Sequence, residues 1–230
     1  MASPAAPPSL QLLRWRSRAQ VFHERIAGLD LPMLRIPAGR FLMGSPLEEE
    51  GRSDDEGTPR EMALHEFLIS RTPITVAQWR AVALWEPGLE AAGAGSDANA
   101  DAHPITGVSH ADASEFCRRL SGRTGRNYRL PSEAQWDYAW RAGTTTAFHT
   151  GATISSELAN YNGSVAYGPG PLGEFRQNTT AVAQFPANAW GVHDMHGNVW
   201  EWCEAPADSA ARSVLCVDPP KRSRGRPCSG

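Results

Sequence analysis

No stretch of this 230-residue chain approaches the roughly 20 consecutive apolar residues that a helix needs to cross a bilayer, so a membrane-spanning helix is excluded. An excess of basic charge is missing too. Twenty-two Lys and Arg against 25 Asp and Glu leave a formal charge of −3, whereas proteins built to hold nucleic acid carry a basic footprint; no nucleic-acid partner is expected. The opening MASPAAPPS is followed by no apolar core of the secretory-signal kind, which gives the expectation of a soluble, cytoplasmic protein. Cysteine is scarce. In such a compartment Cys117, Cys203, Cys216 and Cys228 are expected as thiols rather than as a disulfide framework. No internal repeat is present.

What the chain does have is 21 glycines, 18 prolines and eight tryptophans. That mixture describes a turn-rich fold whose irregular segments are held down by large aromatic side chains. The length suits one sizeable domain. Three of the tryptophans, Trp190, Trp200 and Trp202, fall in AQFPANAWGVHDMHGNVWEWC at 183–203. There Asn188, Gly191 and Gly197 offer positions for left-handed backbone, and Asn198 to Cys203 reads as a short strand. Alternation along that strand sends Val199, Glu201 and Cys203 to one face and Trp200 and Trp202 to the other. Asp194 and Glu201 lie seven positions apart with the Gly197 turn between them. A fold-back at Gly197 would gather both carboxylates and the intervening carbonyls around a hard cation such as Ca²⁺; the alternative is that they cap amides or face water. His193 and His196 form a lone His-x-x-His, a weak transition-metal pattern that also describes loop histidines.

Residues 1–31 read as an N-terminal extension: a Pro/Ala-rich tail, then LQLLRWRSRAQVFHERIAGL as an arginine-rich, solvated helix. The domain proper is expected over 32–203. LPMLRIPAGRFLMGS has the alternation of a β-hairpin punctuated at Gly39. Six acids between Glu48 and Glu56 predict a solvated loop, and MALHEFLIS predicts one strand. Three helix starts are explicit: Thr75 with Gln78, Ser109 with Asp112, and Ser132 with Gln135 each set a hydroxyl three residues before a side chain able to reach back to the cap amide. After Ser109, Ala113, Phe116, Cys117 and Leu120 form a buried stripe. After Ser132 the apolar face is Trp136, Ala139 and Trp140, with Gly143 as the left-handed terminator. Hairpin, strand, short helices and long loops together indicate an α+β fold with limited regular structure.

FLMGS at 41–45, TPITVAQW at 72–79, the run from His103 to Gly143, ANYNG at 159–163 and FPANAWGVHDMHGNVWEWC at 185–203 resemble, in order, the formylglycine-generating enzyme or sulfatase-modifying factor family. The resemblance implies a variant of the C-type-lectin-like fold with structural Ca²⁺. It places one ion on the carboxylates of Asp194 and Glu201 with the carbonyls of Gly197 and Val199. A second site would begin at Asn160 and Tyr161. It also implies oxidation of a cysteine in a target protein to formylglycine, with copper held by two cysteines near the C-terminus, a donor set soft enough for Cu(I). A protein or peptide is therefore the expected partner.

The tail from 204 to 230 departs from the family. EAPADSAARSVLCVDPPKRSRGRPCSG contains no aromatic residue, and Cys216 and Cys228 stand twelve positions apart, so copper is expected only if these two form a pair. The strand that would pack on the Trp200 and Trp202 layer is not recognisable, which should leave apolar surface open. Three readings follow: an oxidase using Cys216 and Cys228, a non-catalytic lectin-like binding module, or an inactive, incomplete member of the family.

Overall fold

The computed structural model describes residues 16–26, 28–52, 57–89, 98–204 and 213–214. Strands β1 (Val21–Ile26), β2 (Leu29–Ile36) and β5 (Phe67–Ser70) form an antiparallel sheet in the order β1-β2-β5, while β3 (Gly39–Met43) and β4 (Arg60–Leu64) pair separately. Helices α1 (Val76–Ala83), α2 (His110–Thr124) and α3 (Glu133–Arg141) follow, with a 3₁₀ turn at Ala98–Ala102. The last pair is β6 (Glu201–Trp202) with β7 (Ser213–Val214). Few helices and small sheets make this an α+β fold with little regular structure, as expected.

The middle strand, β2, is buried on both faces. Leu29, Leu31 and Met33 point to one side, where they pack with Trp79, Val82, Leu89, Phe116 and Leu120. Leu34 and Ile36 point to the other, into a core shared with Trp136, Tyr138, Ala139, Trp140, Val192, Met195 and Cys203. Successive strand residues alternate in direction, so one eight-residue strand divides two cores. A third, smaller cluster of Phe148, Ile154, Ala159, Tyr161 and Tyr167 lies within the long loops.

The local helix signals hold in detail. Thr75, Ser109 and Ser132 each close a complete capping box with Gln78, Asp112 and Gln135. Phe116 and Leu120 are buried on α2, and Cys117 packs half-buried beside them. Helix α3 ends one residue earlier than its glycine suggests: Ala142 already takes the left-handed conformation at φ 46°, and Gly143 follows at φ 88°. Arg119 was not legible as a core residue. Its side chain is sealed inside and donates to the carbonyls of Ala83, Glu86 and Pro87 at 3.1, 2.6 and 2.7 Å and to Glu115 at 2.9 Å, which offsets the cost of burying a charge.

Three expectations are corrected. Residues 33–43 do not form a hairpin, because both edges of β2 are already taken by β1 and β5; the chain crosses at Pro37–Ala38 to a different sheet. MALHEFLIS is two strands, broken at His65–Glu66, that belong to different sheets. Within the arginine-rich segment read as a helix, Val21–Ile26 is instead a strand, paired with β2 over its whole length. Tertiary pairing outweighs weak local propensity there, and it ties residues 21–31 into the sheet.

Candidate functional site

Loop 183–204 threads between the large core and the long loops. Asn188 pins its start: the side-chain Oδ1 accepts from the Trp190 and Val192 amides, and Nδ2 donates to the Ala139 carbonyl of α3 at 2.7 Å. It acts as a side-chain brace; positive φ is found at Gly191 (φ 88°) and Gly197 (φ 155°), as expected, and also at Asp194 (φ 60°) and Asn198 (φ 74°). Asn198 is fully enclosed. Its Oδ1 accepts from the Thr180 amide and the Asn160 side chain, Nδ2 donates to the Thr180 carbonyl, and its backbone amide donates to the Asn160 carbonyl at 2.9 Å.

Between these braces stand the two carboxylates. Asp194 is buried; Oδ2 accepts from the Ala183 amide at 2.8 Å, and Oδ1 has no hydrogen-bond partner. Burial pushes its carboxyl above the usual range. Glu201 accepts at 3.3 Å from the Trp136 indole N–H. Its carboxyl group is enclosed even though the residue keeps some exposed surface, and burial, with the charge of Asp194 nearby, pushes it up to about 7. Two buried carboxylates close enough for one to raise the other's proton affinity, one with an oxygen that has no hydrogen-bond partner, form a donor set that a cation would fit. The Gly197 and Val199 backbone lies in the same turn, the Val199 amide donating to the Gly197 carbonyl at 3.0 Å. The donors are all oxygen, which fits Ca²⁺.

Asn160 meets the loop through Asn198, and Tyr161 is buried with its hydroxyl donating to the Ile154 carbonyl at 3.3 Å. Their loop lies against residues 173–175: the Gly163 amide donates to the Glu174 carbonyl, and Asn162 bridges to Phe175.

The histidine pair does not converge. His193 donates from Nδ1 to the Phe185 carbonyl and turns Nε2 toward Arg71, and both ring nitrogens of His196 are already faced by N–H groups, from Trp140 and from the His149 backbone. Among the described residues no group of three or more His, Cys, Asp or Glu is placed to hold a metal ion. His149 is a site neighbour that no sequence signal points to; it stacks on His196 at 4.5 Å, and burial drives its ring down to about 4.

The alternation expected for the terminal strand is present, although only Glu201–Trp202 pairs. Val199 and Cys203 are buried, whereas Trp200 remains 41 % exposed. Trp202 is half-buried, donating to the Val108 carbonyl at 2.9 Å. Trp190 is also half-buried, its ring edge-on to Tyr138. Burial pushes the Cys117 thiol up to about 12 and the Cys203 thiol well above its ordinary value. Cys216 and Cys228 lie outside the described residues.

The sequence profile of the sulfatase-modifying factor enzyme 1-like domain matches residues 21–223. A formylglycine-generating enzyme of Mycobacterium tuberculosis is 38% identical over 145 residues, which is 59% of this chain and 46% of that protein; the match thus spans under half of the mycobacterial chain. An inactive C-alpha-formylglycine-generating enzyme 2 of Mus musculus is 28% identical over 254 residues, covering 90% of this chain and 79% of its own. Among solved structures, PvdO from Pseudomonas aeruginosa superposes with a TM-score of 0.71 at 26% identity, over 91% of each chain.

Proposed function

Because the chain belongs to the sulfatase-modifying factor, or formylglycine-generating enzyme, family, we propose that it is a calcium-braced scaffold of that kind which engages a protein or peptide, and that any oxidation of a substrate cysteine rests on Cys216 and Cys228. The observation that carries this reading is the condition of the other two thiols. Copper binds the thiolate, not the thiol, and burial holds both Cys117 and Cys203 in the neutral form. They also lie on separate elements, one in α2 and one directly after β6.

The test is copper-dependent oxygen uptake in the presence of a cysteine-containing peptide. Uptake should survive Cys117→Ser and vanish in Cys216→Ser and in Cys228→Ser. Uptake that persists in the double Cys216→Ser, Cys228→Ser variant overturns the assignment. Peptide binding without uptake assigns the chain to the inactive branch, alongside the murine relative.

For calcium, the ligands would be Asp194 Oδ1 and the Glu201 carboxylate with the Gly197 and Val199 carbonyls, and the ion would give the orphan oxygen its partner. A protein stabilised by calcium loses Tm on chelation. EGTA should lower Tm by several degrees in the native chain and leave the Asp194→Ala variant unmoved; equal melting with and without EGTA in the native chain excludes the site.

A further inference from the structure

A groove of about 390 Å³ is lined by β5, α2 and residues 126–131 and 199–202. Its walls are mostly apolar, and its polar groups fall into three sets. The first is the edge of β5. The Arg71 amide donates to the Pro32 carbonyl, and the register places Ile69 opposite Leu34 and Phe67 opposite Ile36. Hydrogen-bonded pairs in an antiparallel ladder recur at every second residue, so Leu68 and Ser70 turn their amides and carbonyls away from β2. Both residues line the groove, and β5 has no strand on that side among the described residues. Such an edge is a template for a further strand.

The second is Trp79. It is 2 % exposed and borders the groove, and its indole N–H has no acceptor among the described residues. A buried donor is costly to leave unpaired, and an extended chain carries a carbonyl acceptor at every residue. The third is charge. Of the charged side chains that line the groove, Glu201 has its carboxyl enclosed, and Arg129 is engaged by Glu204, Gln135 and the Leu130 carbonyl. Arg126 meets Glu24 through Nε alone, at 3.1 Å, and lies over the Phe22 ring. Its side chain is 58 % exposed, and its two terminal nitrogens have no partner among the described residues, which leaves a fork able to take a second carboxylate.

We propose that the groove docks an extended segment of a partner protein, apolar at alternate positions and carrying an acidic residue. The segment adds as a strand to the free edge of β5, gives a backbone carbonyl to the Trp79 indole and sets its carboxylate on Arg126. Apolar alternation follows because a strand laid along β5 turns every second side chain to one face, here the apolar lining. This rests on the reading that the chain engages a protein or peptide, and adds the place and chemistry of the contact; calcium and copper take no part in it.

The probe is a synthetic peptide that alternates leucine with threonine and carries aspartate at each end, acetylated and amidated, titrated into the full chain by calorimetry and NMR. The Leu68 and Ser70 amides should exchange freely in the unliganded protein and roughly tenfold slower at saturation, and the Trp79 indole N–H signal should shift. Ser70→Pro removes a groove-facing amide and none of the bonds to β2; it should weaken the peptide roughly tenfold while the amides of α2 keep their protection. Asparagine in place of both aspartates should weaken binding to the native chain about threefold to fivefold and make no difference to Arg126→Gln. Binding indifferent to both Ser70→Pro and Arg126→Gln overturns the groove as the place and leaves peptide engagement standing. No binding at millimolar peptide overturns the docking, while copper-dependent oxygen uptake decides the broader reading separately. Leu68 and Ser70 amides already protected in the unliganded protein overturn the proposal in favour of a cover from the chain itself, or of a second copy where that protection is lost on dilution.

Discussion

Glu201 and His149 make opposite demands on pH. The Glu201 carboxyl, pushed from an ordinary 4.5 to about 7, holds a proton in the folded protein that the unfolded chain has already released. Its contribution is complete below pH 4.5 and is lost as pH rises through 7. His149, pushed from 6.5 to about 4, stays neutral when folded while the unfolded chain takes up a proton, so stability falls as pH drops from 6.5 toward 4. The two dependences oppose each other between pH 4.5 and 6.5, so chelated protein should be about equally stable across that range and lose stability outside it. Glu201→Gln should remove the decline above pH 6.5 and expose the His149 dependence alone, so that stability climbs from pH 4 to 6.5 and stays level above it; chemical denaturation at pH 5, 6 and 8 in EGTA separates this profile from the native plateau. Asn198 offers a second measurement. Its replacement by Ala leaves the Thr180 amide and the Asn160 side chain without their acceptor, at a cost of about 2 to 3 kcal/mol in urea denaturation. The carboxylate pair could be suspected from spacing alone. Trp136, His149 and Thr180 could not, because they reach the loop from 18 to 65 residues away in sequence.

At the level of elements, legibility followed how local the determining contacts are. A capping box is settled within four residues, and all three were readable. Ser109→Ala should cost about 1 kcal/mol, and Ser109→Asp, which keeps an acceptor at the cap, should recover most of it; thermal denaturation of the two variants separates the lost cap from a lost side chain. Strand partners are settled at a distance, and there the reading failed. The alternation in 33–43 was real, yet it reflects one strand buried on both faces followed by a second in another sheet. The β1 segment carries His23, Glu24 and Arg25 on three successive positions, so nothing local announces that it borders Leu29–Leu34.

The described residues form three apolar clusters of unequal standing. Two share β2 and are stitched by helices; the third, around Phe148 and Tyr167, is built from turns. A cluster with little regular structure around it opens more readily than one anchored by strands and helices. Amides from 148 to 175 should therefore exchange through an opening that leaves α2 protected, and addition of denaturant should merge the two classes only close to global unfolding. The two larger clusters also have a common dependence. Leu29, Leu31 and Met33 serve one and Leu34 and Ile36 the other, so β2 is a party wall. Neither half of the molecule can be kept by discarding the other. Progressive shortening from the front should be tolerated up to about residue 20 and then fail in a single step rather than by degrees, and fragments cut elsewhere in the chain should reassemble only in mixtures where one piece brings this wall intact.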